Sequence, residues 1–529
     1  MIASMVSYEA ERKTIGKLAK SETEKDIHYF TKKNKNRYPA ARMNFSVSNN
    51  TPAAMTLFCL IYPSIFLTDS YNPIECLNEK LSLKNIEKKI KEKIKTALRK
   101  FENKKRGQPD KRWYYIAPML LDDSGYVRKW LEQGETMTSV EDDDEKDDPQ
   151  FRFTAHLNLL KKYYSEFSEN PDNLGKMPAD LINVLTDMAI ASPGVCMNRV
   201  YRRYSLGFDF DSALPSQTAR TFINRMNSPE ATAVVELCCG KSEDAHWKNL
   251  LSYSKNGNIQ AMFDEYAHML SNNIDKNENT VKNLHSSFAD SMKIRTATYD
   301  IDTKNAFITR IKGGKSRQNN NIRTHFAAAF TKGSSNTDKS ANRKKIIQNA
   351  FNSPFRPFIL ASTSIGQEGL DFHNYCRKIV HWNLPSNPID LEQREGRINR
   401  FECLAIRQNI ANRYGNSQFK NDVWSEMFAD ALNDIKAHGK HSSDLIPFWG
   451  LPFSKDMIKI ERIVPMYPFS RDREAYERII KILSLYRLTL GQARQEELIE
   501  YLFTNCEQNK DFKKLFINLS PHYKMTKEN

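Results

Sequence analysis

The stretch from Phe358 to Arg400, FILASTSIGQEGLDFHNYCRKIVHWNLPSNPIDLEQREGRINR, constrains the fold and chemistry of this chain more than any other. It begins with an apolar run that ends in hydroxyl residues, and two closely spaced glycines, Gly366 and Gly369, follow. Glycines after a strand allow a ligand to approach the backbone closely. Because ligands of open α/β sheets bind at the carboxyl ends of the strands, the segment predicts a ligand site there.

A second strand and a helix complete this stretch. Ile379–Trp382 is typical of a buried strand, and the turn LPSNP leads into a helix that begins at Pro388. Arg397 and Arg400 are three residues apart, so they share one helix face, and Gly396 keeps that face low. Guanidinium groups are permanently charged and donate to two oxygens at once, so this face suits a phosphate chain.

The pattern of short apolar runs divides the 529 residues into three regions. Residues 1–275 are predicted to be mainly helical, with amphipathic stretches near 86–101, 153–168, 178–190 and 256–271, and with an acidic loop at 141–148. Residues 276–440 alternate strands with helices, which predicts an α/β fold with a parallel sheet and helices on both faces. Residues 441–529 are predicted to form a helical module.

The individual elements of the last two regions follow from the same pattern. The predicted strands are Ile294–Ile301, Thr324–Thr331, Pro357–Thr363 and Lys378–Trp382. The predicted helices are Arg343–Phe351, Pro388–Arg400, Arg471–Leu488 and Gln492–Phe503.

The charge of the chain favours a polyanionic partner, because 79 Lys and Arg face 64 Asp and Glu, for a net charge of +15. One basic block, residues 304–345, has eleven Lys and Arg against the single acid Asp338, and its loop-like composition favours nucleic-acid contact. The other block, residues 84–112, has thirteen against four. Its first half is an amphipathic helix, so a solvated face and a phosphate contact both stay open there.

Two short motifs carry a resemblance to a known family. QREGRINR at 393–400 is similar to the Q-x-x-G-R-x-x-R signature of superfamily 2 helicases and translocases, and STSIGQEGLDFH at 362–373 is similar to the preceding signature of the same second motor lobe. NLPSNPIDLEQREGRINR most resembles the Swi/Snf-like branch, including the bacterial RNA-polymerase-associated translocase. AFNSPFRPFILASTS, DEYAHML and YRLTLGQARQEELIEYL resemble large bacterial helicase-related proteins often found near DNA-defence genes, including phage defence.

The resemblance implies a RecA-like helicase C-terminal lobe and roles for several residues. Arg397 and Arg400 would contact the γ-phosphate of ATP held by another lobe, with Arg400 as the arginine finger, and Gln393 would orient the phosphates or the water. Gly369, Asp371 and Gly396 would lie at the nucleotide, with Asp371 near the ribose or Arg397. The implied DNA contacts are Ser362, Thr363, Lys312, Lys315, Arg317 and Arg323.

The other half of such an ATPase is not recognisable in the sequence. VELCCGKS and TRIKGGKS approximate a phosphate loop, but Val235 and Thr309 replace its first glycine. The first follows the strand-like run AVVEL. Asp264–Glu265 resembles the acidic pair that holds Mg²⁺, but its apolar neighbours follow helical spacing. The Mg²⁺ and the phosphate loop are therefore expected on a separate polypeptide, and no metal ligands are expected in this chain.

Other features point to a cytoplasmic location. No apolar run reaches the length of a membrane span, no signal-peptide pattern opens the sequence, and eight cysteines without a CxxC pair indicate reduced thiols. His438, Lys440 and Asp444 approximate a phosphodiesterase motif with the wrong spacing, so a polar loop is expected.

Three hypotheses remain open from the sequence. The chain is a split or truncated motor subunit that hydrolyses ATP and moves on duplex DNA together with a phosphate-loop polypeptide. Alternatively, it is a non-enzymatic DNA-binding or assembly module that keeps the motor-lobe architecture, or it is a gene fragment. The sequence alone does not settle whether it is an enzyme.

Overall fold

The computed structural model describes most of the chain, with gaps. The described residues are 43–49, 51–104, 107–134, 149–227, 229–239, 245–292, 296–301, 311–312, 320–325, 345–355, 357–362, 371–438, 445–451 and 456–489. The chain divides into two compact units, Met1–Met292 and Lys293–Asn529. The three predicted regions, 1–275, 276–440 and 441–529, stay a prediction.

The first unit is built from helices joined by short turns. Its helices are α1 (Phe58–Ile61), α2 (Ile65–Ser70), α3 (Pro73–Asn78), α4 (Leu83–Leu98), α5 (Trp113–Leu121), α6 (Ser124–Gln133), α7 (Pro149–Glu169), α8 (Leu181–Ala191), α9 (Pro193–Tyr204), α10 (Ala213–Met226), α11 (Pro229–Cys239), α12 (His246–Asn256), α13 (Ile259–Ser271) and α14 (Thr280–Met292). Strands β1 (Val47–Ser48) and β2 (Thr51–Pro52) pair antiparallel. Short 3-10 helices include Met55–Leu57, Arg99–Lys104 and Pro171–Asn173.

Local sequence signals account for these helices. The predictions near 86–101, 153–168, 178–190 and 256–271 are confirmed by α4, α7, α8 and α13. The core between them is aromatic and closely packed: the indole nitrogen of Trp130 donates to Ser216 Oγ at 2.9 Å, and that hydroxyl donates to the Ile61 carbonyl. Gly194 of α9 lies against the same carbonyl, where a Cβ would come within 2.4 Å, so α9 can pack on α1 only without a side chain there.

The second unit combines two small sheets with five helices among its described residues. Its helices are α15 (residues 345–351), α16 (Pro388–Gly396), α17 (Leu404–Tyr414), α18 (Val423–His438) and α19 (Asp472–Thr489). Strands β3 (Thr296–Ile301) and β4 (Asn320–His325) pair antiparallel over six residues each. Strands β5 (Lys378–Val380) and β6 (Glu461–Ile463) pair parallel, with Lys378 opposite Glu461.

The predicted parallel sheet is therefore only partly visible. Among the described residues it is limited to β5 and β6, because β3 and β4 run antiparallel. The prediction of a strand at Pro357–Thr363 is wrong for residues 357–362, which have no paired partner. Phe358 and Ile359 are exposed there, whereas Leu360 packs on a buried cluster. An apolar run becomes a strand only when a neighbouring strand pairs with its backbone groups. The residues of the run do not show which segment that neighbour is, or whether there is one.

The region near Val235 also differs from its prediction. The strand-like AVVEL lies inside α11, where Ala231, Thr232 and Val235 are buried at helical spacing. Asp264 and Glu265 lie in α13, as their spacing predicts. The Asp264 carboxylate accepts from Arg203 at 2.9 Å and from Gln260 at 3.0 Å. Its bonds therefore join helices α9 and α13 within the first unit.

Several predicted features lie outside the described residues. These are the acidic loop at 141–148, the predicted helix Gln492–Phe503, and most of the basic block at 304–345. Among the described helices, none is long and apolar enough to cross a membrane.

Candidate functional site

The backbone around Asp371 is held by residues at the end of α15. Asn352, just after that helix, donates from its amide nitrogen to the Asp371 carbonyl at 2.7 Å, and Gln348 donates to the same carbonyl at 3.3 Å. Asn374 bonds back to Asn352 through both its backbone nitrogen and its amide. These bonds fix the backbone at Asp371, so its carboxylate projects from a held position.

The Asp371 carboxylate contacts the second arginine of the motif, Arg400. Arg400 Nε donates to Asp371 Oδ1 at 3.0 Å, and both side chains are nearly half exposed, at 41% and 45%. The backbone of Arg397 is held too, because its carbonyl accepts from Phe372 at 2.9 Å. The structure thus pairs Arg400 with Asp371 at a half-exposed place and joins the backbone of Arg397 to the residue after Asp371, while Arg397 Nε is buried.

Helix α16 carries Gln393 and Gly396 but ends at Gly396, so the prediction of a helix through Arg400 is wrong, and Arg397 and Arg400 follow the helix instead of sharing one of its faces. Asn387 caps it by accepting from Ile389 at 2.9 Å, and Pro388 occupies its first turn. Gln393 is exposed near its end. A Cβ placed on Gly396 would meet nothing within 4 Å, so internal packing does not require a glycine there.

The inward side of α16 is held by a charge cluster that sequence reasoning missed. Arg462 of β6 donates to both carboxylate oxygens of Glu395, with Nη2 at 2.6 Å from Oε2, and His381 Nε2 lies 3.3 Å from Oε1. Arg462 also donates to the Tyr476 hydroxyl at 3.2 Å. Burial alone would raise the pKa of the Glu395 carboxyl, but the hydrogen bonds from Arg462 and His381 bring it down to about 2.

An apolar contact beside this cluster fixes the same helix. Leu391 is fully buried and packs with Ile479 and Leu483 of α19. A second cluster, Phe351, Phe372 and Ile398, lies under the other side of the motif. Residues 456–489 therefore contribute β6 and α19 to the support of α16.

Residues 310–402 match the family model of the helicase conserved C-terminal domain. This stretch is a helicase C-terminal lobe of the RecA-like type. The match takes in the whole of 393–400 and the Asp371 region, and domains of this family generally bind nucleic acid. No curated protein and no solved structure matches the chain.

A buried arginine stabilises the turn that follows the motif in the helicase C-terminal lobe. Arg407 is fully buried, donates to the carbonyls of Glu402 and Asn374, and lies over the Tyr375 ring at 5.3 Å. Burial lowers the pKa of His373 to about 4, with Asp371 opposing this shift and Arg407 and Arg400 adding to it. His373 is therefore neutral at physiological pH.

The expected nucleic-acid contacts of the lobe are described only in part. Ser362 and Lys312 are exposed, and the backbone of Arg323 lies in β4. Thr363, Lys315, Arg317 and Gly369 lie outside the described residues. Within the described part of the chain, no three His, Cys, Asp or Glu side chains come together as metal ligands.

The signals for the missed residues differ. Glu395 lies inside the motif QREGRINR, between Arg394 and Gly396, so the sequence shows a carboxylate there but not its partner. Arg462 is 67 positions further along the chain and pairs with Glu395 only through the β5–β6 contact, so nothing local in the sequence marks it.

Proposed function

We propose that this helicase C-terminal lobe is the second motor lobe of an ATP-dependent superfamily 2 DNA helicase or translocase of the Swi/Snf-like kind. In this proposal it supplies Arg397 and Arg400 to a phosphate-loop lobe on another polypeptide, which holds ATP and Mg²⁺. The observation that carries the proposal is the half-exposed Arg400–Asp371 pair, placed inside a motif that lies within the helicase C-terminal match.

The strength of that pair fits the proposed role. Ion pairs between exposed side chains contribute only about 0–1 kcal/mol, so Asp371 holds Arg400 in place without trapping it. A triphosphate offers more charge than one carboxylate, and a guanidinium binds phosphate oxygens through two parallel hydrogen bonds. Arg400 can therefore exchange Asp371 for the γ-phosphate when the other lobe approaches, with Gln393 and Gly396 on the neighbouring surface.

The polyanion in this proposal is duplex DNA. Exposed Lys312 and Ser362 support a contact with its backbone, and Lys315, Arg317, Arg323 and Thr363 are proposed to extend it. Asp371 and Gly369 would couple the binding and hydrolysis of ATP to this contact with DNA. A cytoplasmic role near DNA defence belongs to the same proposal and is supported by the resemblance of DEYAHML and its companion segments alone.

The test is a DNA-stimulated ATPase assay on mixtures. The chain is combined with the protein that the upstream reading frame encodes, the proposed source of the phosphate loop, and ATP turnover is compared with that of this partner alone. We expect Arg400→Ala to lower the stimulated rate by about 10³-fold or more, as for other arginine fingers. Arg413→Ala is the matched control, since Arg413 forms another exposed pair, 2.8 Å from Asp434, and should change the rate less than twofold.

Two results would contradict this proposal. One is a mixture whose turnover does not exceed that of the phosphate-loop partner alone. The other is a stimulated rate that Arg400→Ala and Arg413→Ala change equally, because the effect would then be one of surface charge.

A second candidate is a non-enzymatic DNA-binding or assembly module that keeps motor-lobe architecture. The helical state of Val235 and its neighbours in α11 favours it, because a phosphate loop follows a strand and AVVEL is not one. Salt-dependent DNA affinity with no effect of ATP in any mixture would support this alternative over the motor.

A further inference from the structure

Helix α4 of the first unit carries a large excess of positive charge. Its sixteen residues include six lysines and two glutamates. Ile90, Ile94 and Leu98 are buried, and they pack the helix against α8 and α2. The charged side chains therefore occupy the remaining, outward surface of a helix whose apolar side is already used.

Five of the basic residues form one line, here called the α4 stripe: Lys84, Lys88, Lys91, Lys95 and Arg99. They follow one another at intervals of four, three, four and four residues. At 3.6 residues per turn these positions fall within an arc of about 80° and extend over about 22 Å. Neighbouring members lie about 5–6 Å apart, so the stripe is a straight row of cations along the helix.

Most of this charge is not neutralised by neighbouring side chains. Within the described residues, Lys84, Lys88, Lys91 and Arg99 make no ion pair, and Lys95 has only an exposed 3.0 Å contact with Glu92 of the same helix. The acids beside the helix have other partners: Glu79 binds Lys89, and Glu87 binds Lys255. Lys255 also binds Asp187, at 2.7 Å. The stripe therefore presents a row of cations in which Lys95 has Glu92 beside it and Lys91 interacts with Asp187, whereas Lys84, Lys88 and Arg99 make no ion pair within the described residues.

We propose that the α4 stripe binds the phosphate backbone of a nucleic-acid duplex. Duplex DNA carries one negative charge about every 1.7 Å of its axis, so a row of about 22 Å faces several phosphates at once. Such contacts position a protein on nucleic acid without reading its sequence. This surface lies outside the helicase C-terminal match, and it does not require the lobe to hydrolyse ATP.

The composition of α4 favours a duplex over other polyanions. A helix that binds a membrane surface inserts its apolar side into the lipid, but Ile90, Ile94 and Leu98 are buried inside the unit. Surfaces for single strands stack bases on aromatic side chains, and α4 contains none. A row of cations alone matches the outside of a duplex, which offers phosphates and no free bases.

The experiment measures binding of the full chain, without nucleotide, to labelled duplexes of DNA and of RNA at a series of salt concentrations. The stripe variant combines Lys84→Gln, Lys88→Gln, Lys91→Gln and Arg99→Gln. The control variant combines Lys129→Gln, Lys162→Gln, Lys282→Gln and Arg128→Gln, which removes the same charges from exposed positions on α6, α7 and α14. Thermal unfolding of both variants checks that they fold.

The stripe variant should lose about tenfold or more in affinity for duplex at moderate salt. Because each neutralised phosphate contributes about 0.9 to the slope of log K against log salt, the slope should fall by about 2–3. The control variant should bind within threefold of the unaltered chain. The DNA and RNA arms show which duplex is preferred.

Equal losses in the two variants would overturn the proposal, because only net charge would then matter. An unchanged stripe variant would overturn it as well. Vesicles containing anionic lipid provide a third arm. If the stripe is needed for binding to vesicles and the chain does not bind duplex, the ligand of the stripe is a membrane surface and the proposal is wrong. None of these outcomes involves ATP turnover, so the arginine-finger assay can fail or succeed independently.

Discussion

Two arginine–carboxylate pairs hold the motif: an inner pair at Glu395 on α16, and an outer pair at Arg400, beyond the end of that helix, and they differ in burial. Arg400 and Asp371 make one hydrogen bond and are 41% and 45% exposed. Arg462 binds both oxygens of Glu395, those side chains are 27% and 17% exposed, and Tyr476 and His381 complete the cluster. The same chemical groups are therefore used once on the surface and once in a partly buried network.

The difference separates positioning from function. Water weakens the outer pair, which leaves Arg400 able to change partners. The inner pair is partly shielded from water, so removing either side chain would leave the other with an unmatched charge. The Glu395 pair thus fixes α16, and the Arg400 pair beyond the helix end stays free to react to a ligand. The following substitutions test this division.

The largest effect on stability should come from the apolar part of the inner side. Leu391→Ala removes a fully buried side chain from its contact with Ile479 and Leu483, which should destabilise the second unit by about 2–5 kcal/mol. Hydrogen exchange in peptides covering α16 and α19 measures this locally. Leu445→Ala is the control, because Leu445 is 59% exposed and should cost less than about 0.5 kcal/mol. Equal effects would refute the division.

The inner ion pair should come next, with a distinct pH dependence. Glu395→Gln should cost about 2–3 kcal/mol at neutral pH, since Arg462 loses its matched charge. The pKa of Glu395 lies at about 2, below its ordinary 4.5, so its stabilisation is present above pH 4.5 and is lost as pH falls toward 2. Hydrogen exchange over β6 and α16 should therefore show the two proteins converging at low pH. A difference that does not depend on pH would contradict the charge argument.

The smallest effect on stability should belong to the outer pair. Asp371→Asn removes the carboxylate that holds Arg400, and an exposed pair of this kind contributes less than about 1 kcal/mol. Protection of α16 against hydrogen exchange should stay close to that of the unaltered chain. A loss as large as that of Glu395→Gln would show that Arg400 is a structural residue, and the proposed exchange with phosphate would fail.

The sequence predicts the local elements of the molecule well. The stepping of Ile86, Ile90, Ile94 and Leu98 predicts α4, and Pro388 after the turn LPSNP predicts the start of α16. Both signals depend on residues within a turn or two of each other, where the spacing of side chains sets the structure. The same local spacing places Arg397 and Arg400 on one helix face, which is wrong because α16 ends at Gly396.

Contacts between distant segments are what the sequence does not reveal. The pairing of β5 with β6 joins residues more than 80 positions apart, and it brings Arg462 to Glu395. AVVEL shows the limit of short patterns, since a run of β-branched residues fits a strand but lies in α11 among helical neighbours. In each case tertiary packing, which one short segment cannot encode, decides the outcome.

The participation of β6 and α19 in the lobe matters for how this protein can be produced in pieces. A fragment cut at the edge of the family match, residue 402, would keep every residue of QREGRINR but lose Arg462, Ile479 and Leu483. Leu391 would then face water, and Glu395 would lose its guanidinium partner. An expressed piece intended to keep α16 folded therefore needs to extend through residue 489.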